Sequence, residues 1–123
     1  MSKKKKCTCE STERLIFSCS GGSDVGEVTD RVARRLAKKG QGKMFCINGI
    51  GAHVAGMIES AKSAAELVAI DGCPVACARK TLEHAGFSAK FINLKEMGYQ
   101  KGKTPCEDGL VNEITAKVML NIK

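Results

Sequence analysis

Short apolar segments alternate with amphipathic ones along the chain, and this alternation constrains the fold more than any other feature. The apolar segments predict strands at Arg14–Ser18, 43–47, Glu66–Asp71 and 89–94. The amphipathic segments predict helices at 24–39, 52–63, 74–85 and from residue 104 onwards. Near-continuously apolar strands that alternate with such helices form a parallel sheet covered on both faces. We therefore predict one three-layer α/β domain over 14–123, with a mainly parallel four-stranded sheet in the order 2-1-3-4.

Two helix starts are marked by residues that favour caps. Asp24 and Glu27 have the spacing of a capping box, so Asp24 is expected to cap the first helix. Thr104, Pro105 and Glu107 combine a cap residue, a first-turn proline and an acid, and they predict the start of the last helix. The segment Asn48-Gly49-Ile50-Gly51 is expected to be a turn.

The net charge of +7 does not by itself predict a nucleic-acid partner. More than half of it comes from Lys3–Lys6, in a predicted flexible basic tail over 1–13 that also contains Cys7-Thr8-Cys9. With four Phe, one Tyr and no Trp, no stacking platform for single strands is visible. The arginines of the first helix are expected to form a solvated face.

The cysteines are expected to act in chemistry and not as a disulfide framework. No apolar stretch follows the basic N-terminus, and no apolar run reaches transmembrane length. We therefore predict a cytoplasmic protein that does not associate with a membrane. In that compartment, cysteines are more often metal ligands or redox groups than disulfides. Seven is also an odd number, so the cysteines cannot all pair within one chain.

The segment Asp71-Gly72-Cys73-Pro74-Val75-Ala76-Cys77-Ala78 is the strongest chemical signal. Pro74 suits the first position of a helix, which would make Cys73 the N-cap and place Cys77 one turn further on the same face. A helix N-terminus stabilises anions and therefore thiolates. The spacing predicts half of a soft-metal site or a redox pair, with Asp71 orienting the sulfurs from behind.

Three cysteines follow neighbouring strands in the predicted sheet. Cys19, Cys46 and Cys73 lie at the carboxyl ends of the first three strands, where open α/β sheets bind ligands. With Cys77 they could converge on zinc at about 2.3 Å per sulfur. Thiolates also suit Cu(I) or an iron–sulfur cluster. Cys7 and Cys9 are possible additional ligands, whereas Cys106, in a polar region, is expected to be a bystander.

The first glycine-rich turn offers a different chemistry. Ser20-Gly21-Gly22-Ser23 precedes a helix and could present N–H groups to an anion. It lacks the lysine of a P-loop, and small residues there also serve tight turns. Of the two histidines, His53 could be an extra ligand at a helix start, but a capping or surface role is expected. His84 is expected to interact with the C-terminus of its own helix.

The motifs together resemble the DGC domain family. The resemblance rests on Asp71-Gly72-Cys73-Pro74 with Cys77-Ala78, on the opening from Leu15 to Glu27, and on Phe45-Cys46-Ile47 with Gly49-Ile50-Gly51. It spans about residues 14–105. It implies zinc binding through four cysteines, which here would be Cys19, Cys46, Cys73 and Cys77, and it implies no particular cellular role. Some members have cysteine where this chain has Gly22, so the fourth ligand would come from Cys46 or from the N-terminal cysteines.

Three functions follow from these patterns. The first is a zinc-binding protein with a thiolate site at the carboxyl edge of the sheet. The second is a thiol redox or persulfide-handling enzyme in which Cys73 is the nucleophile and Cys77 or Cys19 resolves. The third is an anion- or nucleic-acid-binding module that uses the turn at Ser20–Ser23 and the basic first helix. The expected partner is an unidentified protein or a small thiol or anion, and the expected state is a monomer or weak dimer.

Overall fold

A single parallel sheet forms the centre of the protein. The computed structural model describes residues 13–122. Its elements are β1 (Arg14–Ser18), α1 (Asp24–Lys38), β2 (Lys43–Met44), α2 (Ile47–Gly51), α3 (Ala55–Ser63), β3 (Glu66–Asp71), α4 (Cys77–His84), β4 (Lys90–Asn93) and α5 (Asp108–Asn121). All strand pairs are parallel and the order is β2-β1-β3-β4, which confirms the predicted topology.

Helices cover both faces of the sheet, as predicted. Because side chains alternate along a strand, Ile16 and Val68 point to one face and Phe17 and Ala69 to the other. The first face packs against α1 and α5, and the second against α2, α3 and α4. The central strands are buried on both faces, which explains their nearly continuous apolar sequence.

Backbone hydrogen bonds extend the sheet beyond the ends of two strands. The Cys19 N–H donates to the Ile70 carbonyl at 3.1 Å, and the Phe45 N–H donates to the Ile16 carbonyl at 2.9 Å. The ladder therefore fixes the backbone at Cys19 and immediately before Cys46, so the start of both loops is set by strand register.

The region after β2 differs from the prediction. The strand expected over 43–47 has only two residues, and the helix expected over 52–63 begins later, at Ala55, as α3, with a separate short helix, α2, before it. The segment expected to be a turn, 48–51, lies inside α2, which buries Ile50 against the sheet. Burial of that side chain favours one helical turn where local sequence indicates a loop.

Both predicted caps are wrong. Ser23 caps α1 by accepting the Gly26 N–H at 3.1 Å. Asp24 instead accepts the N–H groups of Gly102 at 2.9 Å and Thr104 at 3.0 Å, and these hydrogen bonds lower the pKa of Asp24. Since this contact holds Thr104 in the preceding loop, α5 begins later, at Asp108.

The arginines on α1 are paired with acids of the protein itself. Arg34 contacts Asp30 at 2.7 Å, while Arg35 and Arg31 reach Asp108 at 3.0 and 3.5 Å. Within residues 13–122, no helix combines the length and the apolar character that crossing a membrane requires.

Candidate thiol site at the carboxyl edge of the sheet

Three strand ends bring cysteines to one edge of the sheet. Cys19 directly follows β1, Cys46 lies two residues after β2, and Cys73 lies two residues after β3. Since β1 lies between β2 and β3, Cys19 is on the middle strand of the three. Cys46 and Cys77 are exposed, whereas Cys19 and Cys73 are half-buried.

Two adjoining cavities connect three of these cysteines. A cavity of about 480 Å³ is lined by Cys19 and Cys46, and one of about 260 Å³ is lined by Cys19 and Cys77. Both cavities are also lined by Ile47 and Asn48. Cys19 therefore lines both cavities, which run along α2, and we call the two together the thiol groove.

Cys19 is held by a buried threonine. Its Sγ lies 3.3 Å from Thr29 Oγ1, and the Thr29 hydroxyl lies 2.7 Å from the Gly26 carbonyl, to which it donates. Because the Thr29 hydroxyl proton is donated to the Gly26 carbonyl, the Thr29 oxygen acts as the acceptor in its other two hydrogen bonds. These come from the Cys19 S–H and from the Ser20 N–H, the latter at 3.3 Å. The Cys19 side chain is therefore hydrogen-bonded to a buried helical residue of α1.

Cys73 lies at the same edge but on the face of the sheet that packs against α1 and α5. It packs against the core formed by α1 and α5, and its carbonyl accepts the Asn93 side-chain N–H at 2.9 Å. The prediction that Cys73 caps a helix starting at Pro74 is wrong, because α4 begins at Cys77. Residues 73–76 form a turn instead, closed by the Ala76 N–H donating to the Cys73 carbonyl at 3.1 Å. Proline suits the second position of such a turn as well as a helix start.

Asp71 determines where α4 begins. Its carboxylate accepts the Ala78 N–H at 2.8 Å and the Arg79 N–H at 2.9 Å, so it caps the helix from the end of β3. Asp71 is only 3% exposed, and this burial raises its pKa although the two N–H donors act against the rise. Cys77 is thereby fixed as the first residue of α4. The predicted role of Asp71 in orienting sulfurs stays a prediction.

Two glycines allow the loops at this edge to pack closely. A Cβ on Gly72 would lie 2.8 Å from the backbone of Val25, and a Cβ on Gly26 would lie 2.5 Å from the Gly21 carbonyl oxygen. Such distances are too short for a side-chain carbon, so both positions require glycine. The turn after β3, the start of α1 and the glycine-rich turn after β1 are therefore in direct backbone contact.

The glycine-rich turn uses its serines within the protein. Ser20 has a left-handed backbone (φ +51°), and its hydroxyl donates to Asp30 at 2.9 Å and contacts Ser18 Oγ at 2.6 Å. Burial would raise the pKa of Asp30, but hydrogen bonds from Arg34 and Ser20 hold it below its usual value. Ser23 is the cap of α1. The anion site proposed for Ser20, Gly21, Gly22 and Ser23 stays a prediction.

The predicted four-sulfur cluster is not assembled in the described chain. Among residues 13–122, no three Cys, His, Asp or Glu side chains are grouped closely enough to hold a metal ion. Cys19, Cys46 and Cys77 share the thiol groove, Cys73 does not line it, and Cys7 and Cys9 lie outside the described residues. The ligand set, and the choice among zinc, Cu(I) and an iron–sulfur cluster, stay predictions.

Sequence reasoning missed two features of this edge. Thr29 is a fully buried polar residue on the apolar face of α1, and its place beside Val25, Val28 and Val32 is a signal that could have marked it. His53 and His84 also come together in space, with ring centroids 6.2 Å apart. Nothing in the local sequence indicates that pairing.

Comparisons with known proteins place these residues in a described family. The family model described as "DGC domain" matches residues 15–118, which include every cysteine from Cys19 to Cys106. The Pseudomonas aeruginosa protein named "Anaerobic and virulence modulator AnvM" is 33% identical over 88 residues, which cover 71% of this chain and 67% of that protein. No solved structure gives a significant match.

Proposed function

Since the chain belongs to the DGC domain family, we propose that it binds a soft metal ion, zinc in the first instance, through cysteine thiolates at the carboxyl edge of its sheet. One observation carries this proposal. The two adjoining cavities share Cys19 as a lining residue, and Cys46 lines one of them and Cys77 the other. Cysteine thiolates are ligands that both zinc and Cu(I) bind in proteins.

The proposed ligands are Cys19, Cys46 and Cys77, and Cys73 is the fourth ligand the family resemblance implies. Cys7 and Cys9 are the alternatives for the fourth position. Binding requires Cys19 to release its proton and its contact with Thr29, and the three sulfurs to approach one another. Cys46 and Cys77 are exposed side chains, so their rotamers can change without disturbing the core.

The number of protein ligands decides what the metal does. Four thiolates would close the coordination shell and give a structural or carried metal, whereas three would leave a position open for water and Lewis-acid chemistry. In this proposal, residues 14–123 are a single metal-binding domain and Cys7 and Cys9 supply additional sulfur, in a cytoplasmic protein. The name of the Pseudomonas relative describes a modulator, which favours a regulatory setting over a metabolic one.

Native mass spectrometry with elemental analysis tests the proposal on anaerobically purified full-length protein. We expect one zinc per chain in the wild type, and its loss in Cys19→Ser and Cys77→Ser. Cys106→Ser is the matched control, because Cys106 is also half-buried but packs against the α1–α5 core, and it should keep the metal. If the purified protein is brown and contains iron, the bound group is an iron–sulfur cluster and not zinc. A wild type without metal after anaerobic reconstitution would contradict the proposal.

A second candidate function is thiol exchange, and the exposed position of Cys77 favours it. Cys77 is the first residue of α4 and shares a cavity with Cys19, so these two cysteines form the better redox pair. Cys73, the nucleophile expected from sequence, lines neither cavity of the groove. In this reaction the Cys77 thiolate attacks a small disulfide, and Cys19 resolves the mixed disulfide, releasing two small thiols and forming a Cys19–Cys77 bond.

Alkylation of metal-free protein tests the second function. We expect Cys77 to react with iodoacetamide faster than Cys46, which is also exposed and serves as the internal control. We also expect a Cys19–Cys77 disulfide after treatment with oxidised glutathione. Equal alkylation rates at Cys77 and Cys46, with no such disulfide, would exclude this function.

A further inference from the structure

Both histidines of the chain lie in one surface cavity. The chain contains two histidines, at positions 53 and 84, and their ring centroids are 6.2 Å apart with an angle of 65° between the ring planes. A cavity of about 320 Å³ is lined by both rings together with Gly51, Lys80 and Thr81. Gly51 and Thr81 also line the cavity that holds Cys77, so the histidine cavity adjoins the end of the thiol groove.

The backbone at His53 is left-handed, a conformation that few residues other than glycine adopt. The His53 N–H donates to the Ile50 carbonyl and the Val54 N–H donates to the Gly49 carbonyl, both at 3.0 Å. This pair of bonds is the Schellman motif that ends α2, and His53 occupies its left-handed position with φ +55°. Glycine is the favoured residue there. At this position the chain has histidine, which lines the cavity.

His84 approaches from a separate element. It is the last residue of α4, which packs against α2, and both imidazoles are exposed to solvent. Neutral imidazole nitrogens are common ligands for zinc, nickel and copper ions. Two such rings on different elements, facing one cavity, can hold one ion whose remaining positions are filled by water.

We propose that His53 and His84 form a second site for a divalent transition-metal ion, separate from the cysteines. The site needs none of the sulfurs, so it does not rest on the proposed thiol function. An ion held there would join the C-terminal end of α2 to the C-terminal end of α4, across the opening of the cavity.

Lys80 allows an experiment to distinguish a bound cation from a bound anion. Lys80 lines the same cavity, and its positive charge repels a cation bound there. Lys80 is exposed, so its side chain can turn into solvent when an ion binds. Removing this charge should therefore strengthen metal binding, whereas it would weaken binding of an anion to the same cavity.

Imidazole NMR of the full chain with Zn²⁺ is the decisive experiment. With two histidines there are two sets of ring signals, and the readout is specific to this site even while cysteines bind zinc. We expect both rings to shift with one common midpoint. Lys80→Met should lower that midpoint, expressed as free Zn²⁺, by about two- to fivefold, and Cys106→Ser should leave it unchanged.

His53→Gly separates loss of the ligand from loss of the fold. Glycine suits the left-handed position, so the melting temperature without metal should stay the same or rise. The Zn²⁺ midpoint at His84 should rise by about tenfold or more. The proposal is overturned if His84 responds with an unchanged midpoint in this variant, or if neither ring responds below about 1 mM Zn²⁺. It is also overturned if inorganic phosphate shifts both rings and Lys80→Met abolishes that shift.

Discussion

Two of the helices that line the thiol groove, α1 and α4, are capped in different ways. α1 is capped by the residue directly before it, since Ser23 accepts the Gly26 N–H. α4 is capped across the Cys73–Ala76 turn by Asp71, a buried carboxylate at the end of β3. The start of α1 is therefore set by local sequence, whereas the position of Cys77 depends on a tertiary contact. The predictions below break or sharpen this difference.

Asp71→Ala should have the largest effect. It removes the acceptor for the Ala78 and Arg79 N–H groups, and the Ala78 group is buried. We expect the free energy of unfolding to fall by about 2–3 kcal/mol, measured by urea denaturation. Ser23→Ala is the matched control and should cost about 1 kcal/mol, because its cap is single and partly exposed. Equal losses in the two variants would contradict the proposed difference.

Gly72→Ala should be next in size. The added methyl group would lie 2.8 Å from the Val25 backbone, which has no room to move away between β3 and α1. We expect a loss of about 1–3 kcal/mol by thermal or chemical denaturation. Gly22→Ala, where a Cβ meets nothing within 4 Å, is the control and should change stability little. A well-tolerated Gly72→Ala would show that the two loops are not held in contact.

Thr29→Val should release Cys19 at a smaller cost. Valine keeps the volume of this buried side chain but removes the acceptor for the Cys19 thiol and the Ser20 N–H. We expect a loss of about 1 kcal/mol and faster iodoacetamide labelling of Cys19. Thr115→Val is the comparison, because Thr115 is also a buried helical threonine bonded to its own helix but has no contact with a thiol. Labelling of Cys19 should be unchanged there.

The smallest effects should appear in the pH dependence of stability, with opposite signs for Asp24 and Asp71. Hydrogen bonds from Gly102 and Thr104 lower the pKa of Asp24 below 3.8, so its contribution is present above that value and is lost as pH falls through the folded pKa. Burial raises the pKa of Asp71 above 3.8, so proton uptake there favours the fold as pH falls.

Stability measured from pH 7 to 2.5 checks these signs. Asp24→Asn should make the acid decline shallower, and Asp71→Asn should make it steeper. The same change of slope in both variants would contradict the two directions.

The topology of the sheet could be predicted from the sequence, whereas the identity of the cysteines that line the thiol groove could not. β1 and β3 are apolar on both faces because both are buried, so their strands and the order of the sheet follow from residue pattern. Pro74 suits a helix start and a turn equally well, and the choice between them is made by Asp71 through contacts that only the fold provides. That choice places Cys77 in the groove with Cys19 and leaves Cys73 on the other side. Likewise, Ser23 and Asp24 are both good caps, and Asp24 is drawn away by the loop before α5.

Cobalt substitution is the most direct test of the central claim that Cys19, Cys46 and Cys77 share one metal site. Thiolate ligands give Co²⁺ charge-transfer absorption in the near ultraviolet, and its intensity increases with the number of sulfurs bound. We predict this absorption in the reduced wild type. Each of the single variants Cys19→Ser, Cys46→Ser and Cys77→Ser should lose part of it, and Cys106→Ser should leave it unchanged. Absorption that is missing in the wild type, or that survives undiminished in Cys77→Ser, would contradict the account.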